Sequence, residues 1–317
     1  MSAPADVLAS VLASTQLLGV GAVGAPMENR LVGPNVPLPG YRRLFGGQLL
    51  AQAMAAACYG GAAGNDPEAA SGADAGPSGL RTVRSIHMAF AAEGRPDEPV
   101  EWSVEAPHSG RTFATRCVNG SQGNRVLAVA IVSLHRPDGA GRSLQHCAPV
   151  PQVTDPERSP PVAAVGAMAL ETRVALPLDP TADGYRGDGH DLRLDGLEQG
   201  PPEVAVWMRA GRPLGAGGGQ LAQQMLLAYS SDVTMMVAAM RPHPGIGYGS
   251  KHVAVSAVTS HTVSFHTQVD LGDWMLFAQH SPVAAGGRAY IRGDWFARDG
   301  SLAASCAQEA LIRLAAP

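Results

Sequence analysis

The chain has 317 residues, 45% of them hydrophobic, and a formal net charge of -4. This length provides for two domains with ample cores, and the charge offers no basic surplus for binding a nucleic-acid backbone. No apolar run is long enough to cross a bilayer, so the composition also excludes a protein with helical membrane spans. The four cysteines form no CxxC pair, which predicts reduced thiols and a cytoplasmic location.

A literal GxGxxG motif at residues 19–24 is the first feature along the chain. A dinucleotide site needs a strand before this motif and a helix after it, but here Ala25-Pro26 follows, so we assign no nucleotide to it. A helix is predicted from Gly46 to Ala55, where small residues would let it approach a sheet closely. Strands are then predicted at 82–90, 100–106, 111–118 and 125–134.

Three stretches with few large apolar residues divide the chain. Residues 60–79 are rich in Gly, Ala, Asp, Pro and Ser, which predicts a flexible surface loop. The composition predicts an N-terminal domain over 1–138, a Pro-rich linker over 139–165 and a C-terminal domain over 166–317. A polar stretch at 179–202 predicts another loop within the second domain.

The second half repeats the order of elements found in the first. A helix is predicted from Gly219 to Tyr229, after strands at 171–176 and 204–209. Further strands are predicted at 252–267, 274–281, 289–296 and 302–314. A long helix on an antiparallel meander, used twice, is an α+β fold.

Short repeated motifs support an internal duplication. The segment 110–113, with Gly123 ten positions after its aromatic residue, resembles the segment 287–290, with Gly300 ten positions after its own. Each of these two glycines is predicted to form a hairpin turn. Gly46-Gly47-Gln48-Leu49 also resembles Gly218-Gly219-Gln220-Leu221.

Two polar residues of the second half lie among apolar segments. Asp232 stands between the predicted helix that ends at Tyr229 and the apolar run 233–237. Burying a carboxylate there costs roughly several kcal/mol of folding free energy unless the carboxylate has polar partners. Gln308 lies inside the last predicted strand, after small and apolar residues. A helix-surface or capping role would also suit Asp232 alone, and a structural role would suit Gln308 alone, so both are candidates for a site.

Strand alternation divides the run 253–265 into two faces, of which the even-numbered one is small and hydroxylated apart from Val258. Such a face suits a cleft, and it also suits a solvated sheet surface. His261 and His266 are five residues apart and therefore fall on opposite faces, which gives no metal-ligand spacing. There is no GxSxG, HExxH or Walker motif, so a serine hydrolase and a metalloenzyme lack support.

In combination, these motifs resemble the type II acyl-CoA thioesterases, the TesB-like family. The likeness covers nearly the whole chain and lies in the segments 44–48, 85–90, 110–116, 206–209, 229–232, 261–266 and 308–309. The resemblance implies a tandem (double) hotdog fold, in which each half packs a long helix on an antiparallel sheet. It also implies hydrolysis of acyl-CoA to free fatty acid and CoA.

By this resemblance, Asp232 and Gln308 occupy two of the three catalytic positions of the family, where Asp, a Ser or Thr, and Gln hold a water molecule against the thioester carbonyl. Val258 occupies the third position, and its side chain forms no hydrogen bond. Ser256 and Ser260 lie on the same face and could supply the hydroxyl instead. The departure at Val258 predicts an activity lowered by roughly ten- to a thousandfold.

The resemblance further implies acyl-CoA as the ligand, no cofactor, no metal and a homodimer or higher homo-oligomer, because hotdog sheets generally pair edge to edge. Two alternatives stay open. One is a non-catalytic acyl-CoA-binding protein in which Val258 marks a lost site. The other is a hotdog enoyl-thioester hydratase, for which His87 or His261 would have to face the cleft.

Overall fold

The structure is a computed structural model, and it describes residues 18–19, 30–35, 42–59, 81–136, 144–162, 170–175, 199–211, 219–247 and 250–315. The chain forms two compact units. The first comprises residues 1–146 together with 217–229 and 262–265; the second comprises 147–216, 230–261 and 266–317. The domain boundaries predicted at 138 and 166 stay a prediction, and the predicted loop 60–79 lies outside the described residues.

The first unit packs a helix on an antiparallel sheet. Helix α1 (Gly46–Tyr59) lies against strands β3 to β6, and its residues from Leu49 to Ala57 are buried. The strand order in this unit is β1-β2-β4-β5-β6-β3. The strands are β1 (Leu18–Gly19), β2 (Arg30–Gly33), β3 (Thr82–Phe90), β4 (Val100–Ser109), β5 (Phe113–Gln122) and β6 (Arg125–His135).

The second unit repeats this layout with the strand order β9-β12-β11-β10-β8-β7. Its helical layer includes the short helix α3 (Met235–Met240), which is buried along its whole length and packs on β8, β10 and β11. Helix α2 (Gln220–Ser231) precedes it and is part of the first unit as far as Tyr229. The strands are β7 (Leu170–Val174), β8 (Glu203–Ala210), β9 (Val253–Phe265, whose residues 262–265 belong to the first unit), β10 (Met275–Ala285), β11 (Arg288–Phe296) and β12 (Leu302–Leu314).

Each predicted strand in the described ranges is present, and each predicted helix runs longer than its pattern indicated. The two repeated glycines form the hairpin turns expected of them. Gly123, between β5 and β6, has φ +56°, and Gly300, between β11 and β12, has φ +87°. Both values lie in the left-handed region that favours glycine. Helix α3 was predicted only as an apolar segment, because six residues are too few to establish a helical period.

The paired Gly-Gly-Gln-Leu motifs allow a matched test of packing. A Cβ on Gly47 would lie 2.3 Å from the backbone oxygen of Tyr229 and 2.6 Å from the ring of Phe45, both in the same unit. A Cβ on Gly219, the corresponding glycine of the second motif, which directly precedes α2, would meet nothing within 4 Å. The first glycine is therefore needed for close approach and the second is not.

We expect Gly47→Ala to lower the free energy of unfolding by about 1–3 kcal/mol, the usual cost of overpacking, although alanine is the better helix former. Gly219→Ala should change it by less than about 1 kcal/mol. Denaturant unfolding of the two variants checks this. An equal effect of both substitutions would contradict the close contact at Gly47.

Candidate active site

The turn between α2 and α3 places a carboxylate inside the second unit. Asp232 follows the last residue of α2 directly, and Thr234 precedes the first residue of α3. Helix α3 is entirely buried, so the turn that leads into it is drawn into the core as well. Asp232 is 8% exposed, which is low for a carboxylate and demands polar partners.

The partners come from two neighbouring strands, β9 and β12. The backbone N–H of His266, directly after β9, donates to the backbone oxygen of Ala303 on β12 at 2.8 Å. His261 lies five residues before His266, and Gln308 lies five residues after Ala303, so this register places His261 opposite Gln308. Thr259 donates its hydroxyl to the backbone oxygen of Glu309 at 3.0 Å, which agrees with that register. Both His261 and Gln308 are fully buried.

The three side chains meet at one nitrogen atom. Gln308 Nε2 donates to Asp232 Oδ1 at 2.5 Å and lies 3.1 Å from His261 Nδ1. His261 Nδ1 and Asp232 Oδ1 are 3.7 Å apart, beyond hydrogen-bonding distance, so the amide nitrogen bridges them. On its other side, His261 Nε2 lies 2.9 Å from Ser231 Oγ.

Gln308 also carries an acceptor that the described residues do not satisfy. Its Oε1 is buried and has no hydrogen-bond partner among them. A buried amide oxygen without a partner costs about 1–3 kcal/mol, so its retention calls for an explanation such as a bound water molecule or ligand. A buried carboxylate and a buried amide acceptor in the same cluster suit the binding and deprotonation of a water molecule.

The neighbouring thiol does not offer a competing nucleophile. Cys306 lies two residues before Gln308 on β12 and is buried. Burial raises the pKa of its thiol to about 12, although hydrogen bonds with Ser231 and Trp295 act in the opposite direction. At neutral pH the group is therefore a thiol, and the thiolate is the nucleophilic form.

The remaining predicted site residues lie along β9 beside this cluster. Val258, Ser256 and Ser260 are half-buried, and strand alternation places all three on the face opposite to His261. The role predicted for Val258, and the replacement of a hydroxyl by Ser256 or Ser260, stay predictions.

His261 joins Asp232 and Gln308 in the structure, although its sequence context suggested a role only for the hydratase alternative. The sequence contains one signal for this residue, because strand alternation places His261 on the same face as the apolar Val263 and Phe265. In the structure all three side chains are buried. The sequence could not show that Gln308 lies opposite. The other histidine considered, His87, is exposed and has its Nδ1 3.3 Å from Thr262 Oγ1 in the first unit.

Metal-binding clusters and membrane-spanning helices are both absent from the described ranges. Over those residues, no group of three or more His, Cys, Asp or Glu side chains is placed to hold a metal ion. Within the same ranges, no helix is both long and apolar enough to cross a membrane.

Comparison with known proteins identifies the fold class first. The chain resembles a tesB protein structure from Mycobacterium avium subsp. paratuberculosis with a TM-score of 0.71 and 27% identity, covering 96% of this chain and 99% of that one. It also matches a hotdog-fold protein from Alicyclobacillus acidocaldarius with a TM-score of 0.64 and 18% identity, over 97% of this chain and 98% of that one. The predicted α+β double hotdog is thereby confirmed.

The family follows from the sequence matches. Residues 36–135 match the model of the acyl-CoA thioesterase N-terminal domain, and residues 144–312 match that of the acyl-CoA thioesterase C-terminal domain. Acyl-CoA thioesterase 2 of Haemophilus influenzae is 30% identical over 86% of this chain and 89% of its own length. Human acyl-coenzyme A thioesterase 8 is 28% identical over 86% and 81% respectively. The chain belongs to the type II acyl-CoA thioesterase family.

Proposed function

We propose that this protein hydrolyses acyl-CoA to free fatty acid and CoA, with Asp232 and Gln308 as its catalytic residues. The observation that carries the proposal is the buried contact between Gln308 Nε2 and Asp232 Oδ1, beside an amide oxygen without a partner among the described residues. By the resemblance to the type II acyl-CoA thioesterases, this is where a reactive water molecule would be bound.

Asp232 acts as the general base in this proposal. Its carboxylate accepts a proton from the water molecule as the water oxygen attacks the thioester carbonyl carbon. The tetrahedral intermediate then collapses, the carbon–sulfur bond breaks, and the proton held by Asp232 passes to the departing CoA thiolate. The products are a fatty acid and CoA, and the carboxylate is regenerated.

Gln308 orients both the base and the water molecule. Its Nε2 fixes the carboxylate by donating to Oδ1, and its Oε1 accepts a hydrogen bond from the water. Holding a reactant in the attacking geometry is worth several orders of magnitude in rate for well-oriented groups. No covalent acyl-enzyme is required, which agrees with the protonated state of the nearby thiol of Cys306.

The two alternative functions find less support in this arrangement. A hydratase would draw on His87 or His261, but His87 is exposed and is bonded to Thr262. His261 has both ring nitrogens engaged, with Gln308 and with Ser231. A binding protein without activity would have no need for a buried carboxylate at this cost.

The wider setting is also proposed. We place the protein in the cytoplasm and in fatty-acid metabolism, where acyl-CoA is available as substrate. We infer that it forms a homodimer or higher homo-oligomer, as the resemblance implies. The N-terminal hotdog domain would span 1–138 and the C-terminal one 166–317, joined by the linker 139–165.

Release of CoA from acyl-CoAs of graded chain length tests the function directly. We expect turnover with at least one chain length, and a kcat lowered by about 10²- to 10⁴-fold after Asp232→Asn. The absence of turnover with every substrate, while acyl-CoA still raises the melting temperature, would instead identify an acyl-CoA-binding protein.

Val258→Thr tests whether residue 258 occupies the family's hydroxyl position in the site or lies away from the site. Because alternation places this side chain on the face opposite to His261, we expect kcat to stay within about threefold of the wild type. Val255→Thr, which adds the same hydroxyl at an exposed position of β9, is the control. A gain of about tenfold or more from Val258→Thr alone would instead favour the family's hydroxyl at this position.

A further inference from the structure

We infer that His261 is the positioning residue of the site, and that it holds the Gln308 amide through a neutral imidazole with its proton on Nε2. This inference rests on the proposed function, because it assigns the residue that orients Gln308 for the same reaction. It also explains how an ordered site is built in a chain whose residue 258 is valine.

The hydrogen atoms in the cluster can be counted. The Gln308 amide nitrogen has two hydrogens, and its two neighbours within hydrogen-bonding distance are Asp232 Oδ1 and His261 Nδ1. An ionised carboxylate only accepts, so the amide atom that faces it is the nitrogen. The second hydrogen then points to Nδ1, which must present a lone pair.

The tautomer of the ring follows from that lone pair. An imidazole that accepts at Nδ1 carries its proton on Nε2 when it is neutral. This N–H is 2.9 Å from Ser231 Oγ, a buried hydroxyl that accepts it. A ring protonated at Nδ1 would set its N–H against the amide N–H of Gln308, so this geometry favours the tautomer with its proton on Nε2 over the other tautomer and the cation.

The consequence for Gln308 is a fixed direction of its amide group. Rotating the amide by half a turn would place Oε1 against the Asp232 carboxylate and against the lone pair of His261. Two acceptors therefore oppose the flipped form, and Oε1 is kept pointing away from both of them. This is the orientation in which Oε1 is available to a water molecule.

Two substitutions at His261 distinguish the role of Nδ1 from the role of Nε2. In His261→Asn the amide oxygen takes the place of Nδ1 and can accept from Gln308, but nothing replaces Nε2. In His261→Gln the polar group extends toward the place of Nε2, and the acceptor beside Gln308 is lost. His266→Asn is the matched control, because His266 is exposed and bonds to Ser305 on the opposite face of the sheet.

We expect His261→Asn to retain kcat within about fivefold and His261→Gln to lose roughly ten- to a hundredfold in kcat with little change in KM. The control should match the wild type. A purely structural histidine would instead give melting temperatures and kcat values that fall together in both variants. Equal losses of kcat in the Asn and Gln variants would overturn the inference.

A second measurement does not depend on activity. In protein labelled with ¹⁵N in its histidine rings, we expect the resonances that disappear in His261→Asn to show an unprotonated Nδ1 and a protonated Nε2. A protonated Nδ1 would overturn the inference even in an active enzyme. If the wild type hydrolyses no acyl-CoA, the proposed function fails. The observed tautomer still decides whether His261 accepts a hydrogen bond from the Gln308 amide.

Discussion

Asp232→Asn is expected to lower kcat for acyl-CoA hydrolysis by about 10²- to 10⁴-fold, the range that a positioned general base contributes. Asparagine keeps the size of the side chain and an oxygen that can accept from Gln308 Nε2. It cannot take the proton of the attacking water. The change therefore removes the chemistry while leaving the hydrogen bond that positions the group, and KM should change little.

Asp294→Asn provides the control for removing a carboxylate. Asp294 lies on β11, is half-buried, and accepts a hydrogen bond from Ser305 at 2.6 Å on the outer face of the sheet. We expect this variant to keep its activity. Steady-state CoA release, together with a melting curve for each variant, makes the comparison. An Asp232→Asn enzyme with wild-type kcat would show that the base lies elsewhere.

The second large effect is expected from Gln308→Glu. Gln308 Nε2 is 2.5 Å from Asp232 Oδ1, so the substitution sets two carboxyl groups against each other in a buried site. Two carboxyl groups this close share a proton because they cannot both be charged. The base is then occupied, and we expect kcat at pH 6 to fall by about 10²- to 10³-fold.

The pH profile gives the sign of this effect. The shared proton is released as the pH rises, so Gln308→Glu should recover part of its activity between pH 6 and pH 9. Gln308→Leu introduces a side chain of similar volume with no titratable group, so its kcat should be lowered by the same factor at pH 6 and at pH 9. Parallel profiles for the two variants would contradict a direct contact between residue 308 and the base.

Much of the fold follows from local patterns in the sequence. Strand β12 begins at Leu302 and ends at Leu314, as its pattern predicts, because Gly300 fixes its start. Strand β10 continues four residues past its predicted end at Ser281. Its true limit is the turn at Gly286 and Gly287, which have φ values of +60° and +74°. Hairpin glycines thus define strand ends better than the apolar pattern does.

The candidate site was only partly predictable for a physical reason. Asp232 and Gln308 stand out because a polar residue among apolar neighbours needs a partner when it is buried. His261 becomes their partner through the register of β9 and β12, and register depends on pairing between strands that are more than 30 residues apart. Local periodicity carries no information about that pairing.

Helix α2 belongs to the first unit as far as Tyr229, and this has a consequence for dividing the protein into fragments. Gln224 on this helix donates to the backbone oxygen of Val83 at 2.8 Å, and Tyr229 packs on Phe45 with ring centroids 4.9 Å apart. The segments 217–229 and 262–265 thus complete a unit that is otherwise encoded by the first 146 residues. Splitting the gene within the linker 139–165 would therefore leave an N-terminal fragment without the segments 217–229 and 262–265, and we expect it to need co-expression of the C-terminal fragment to complete its core.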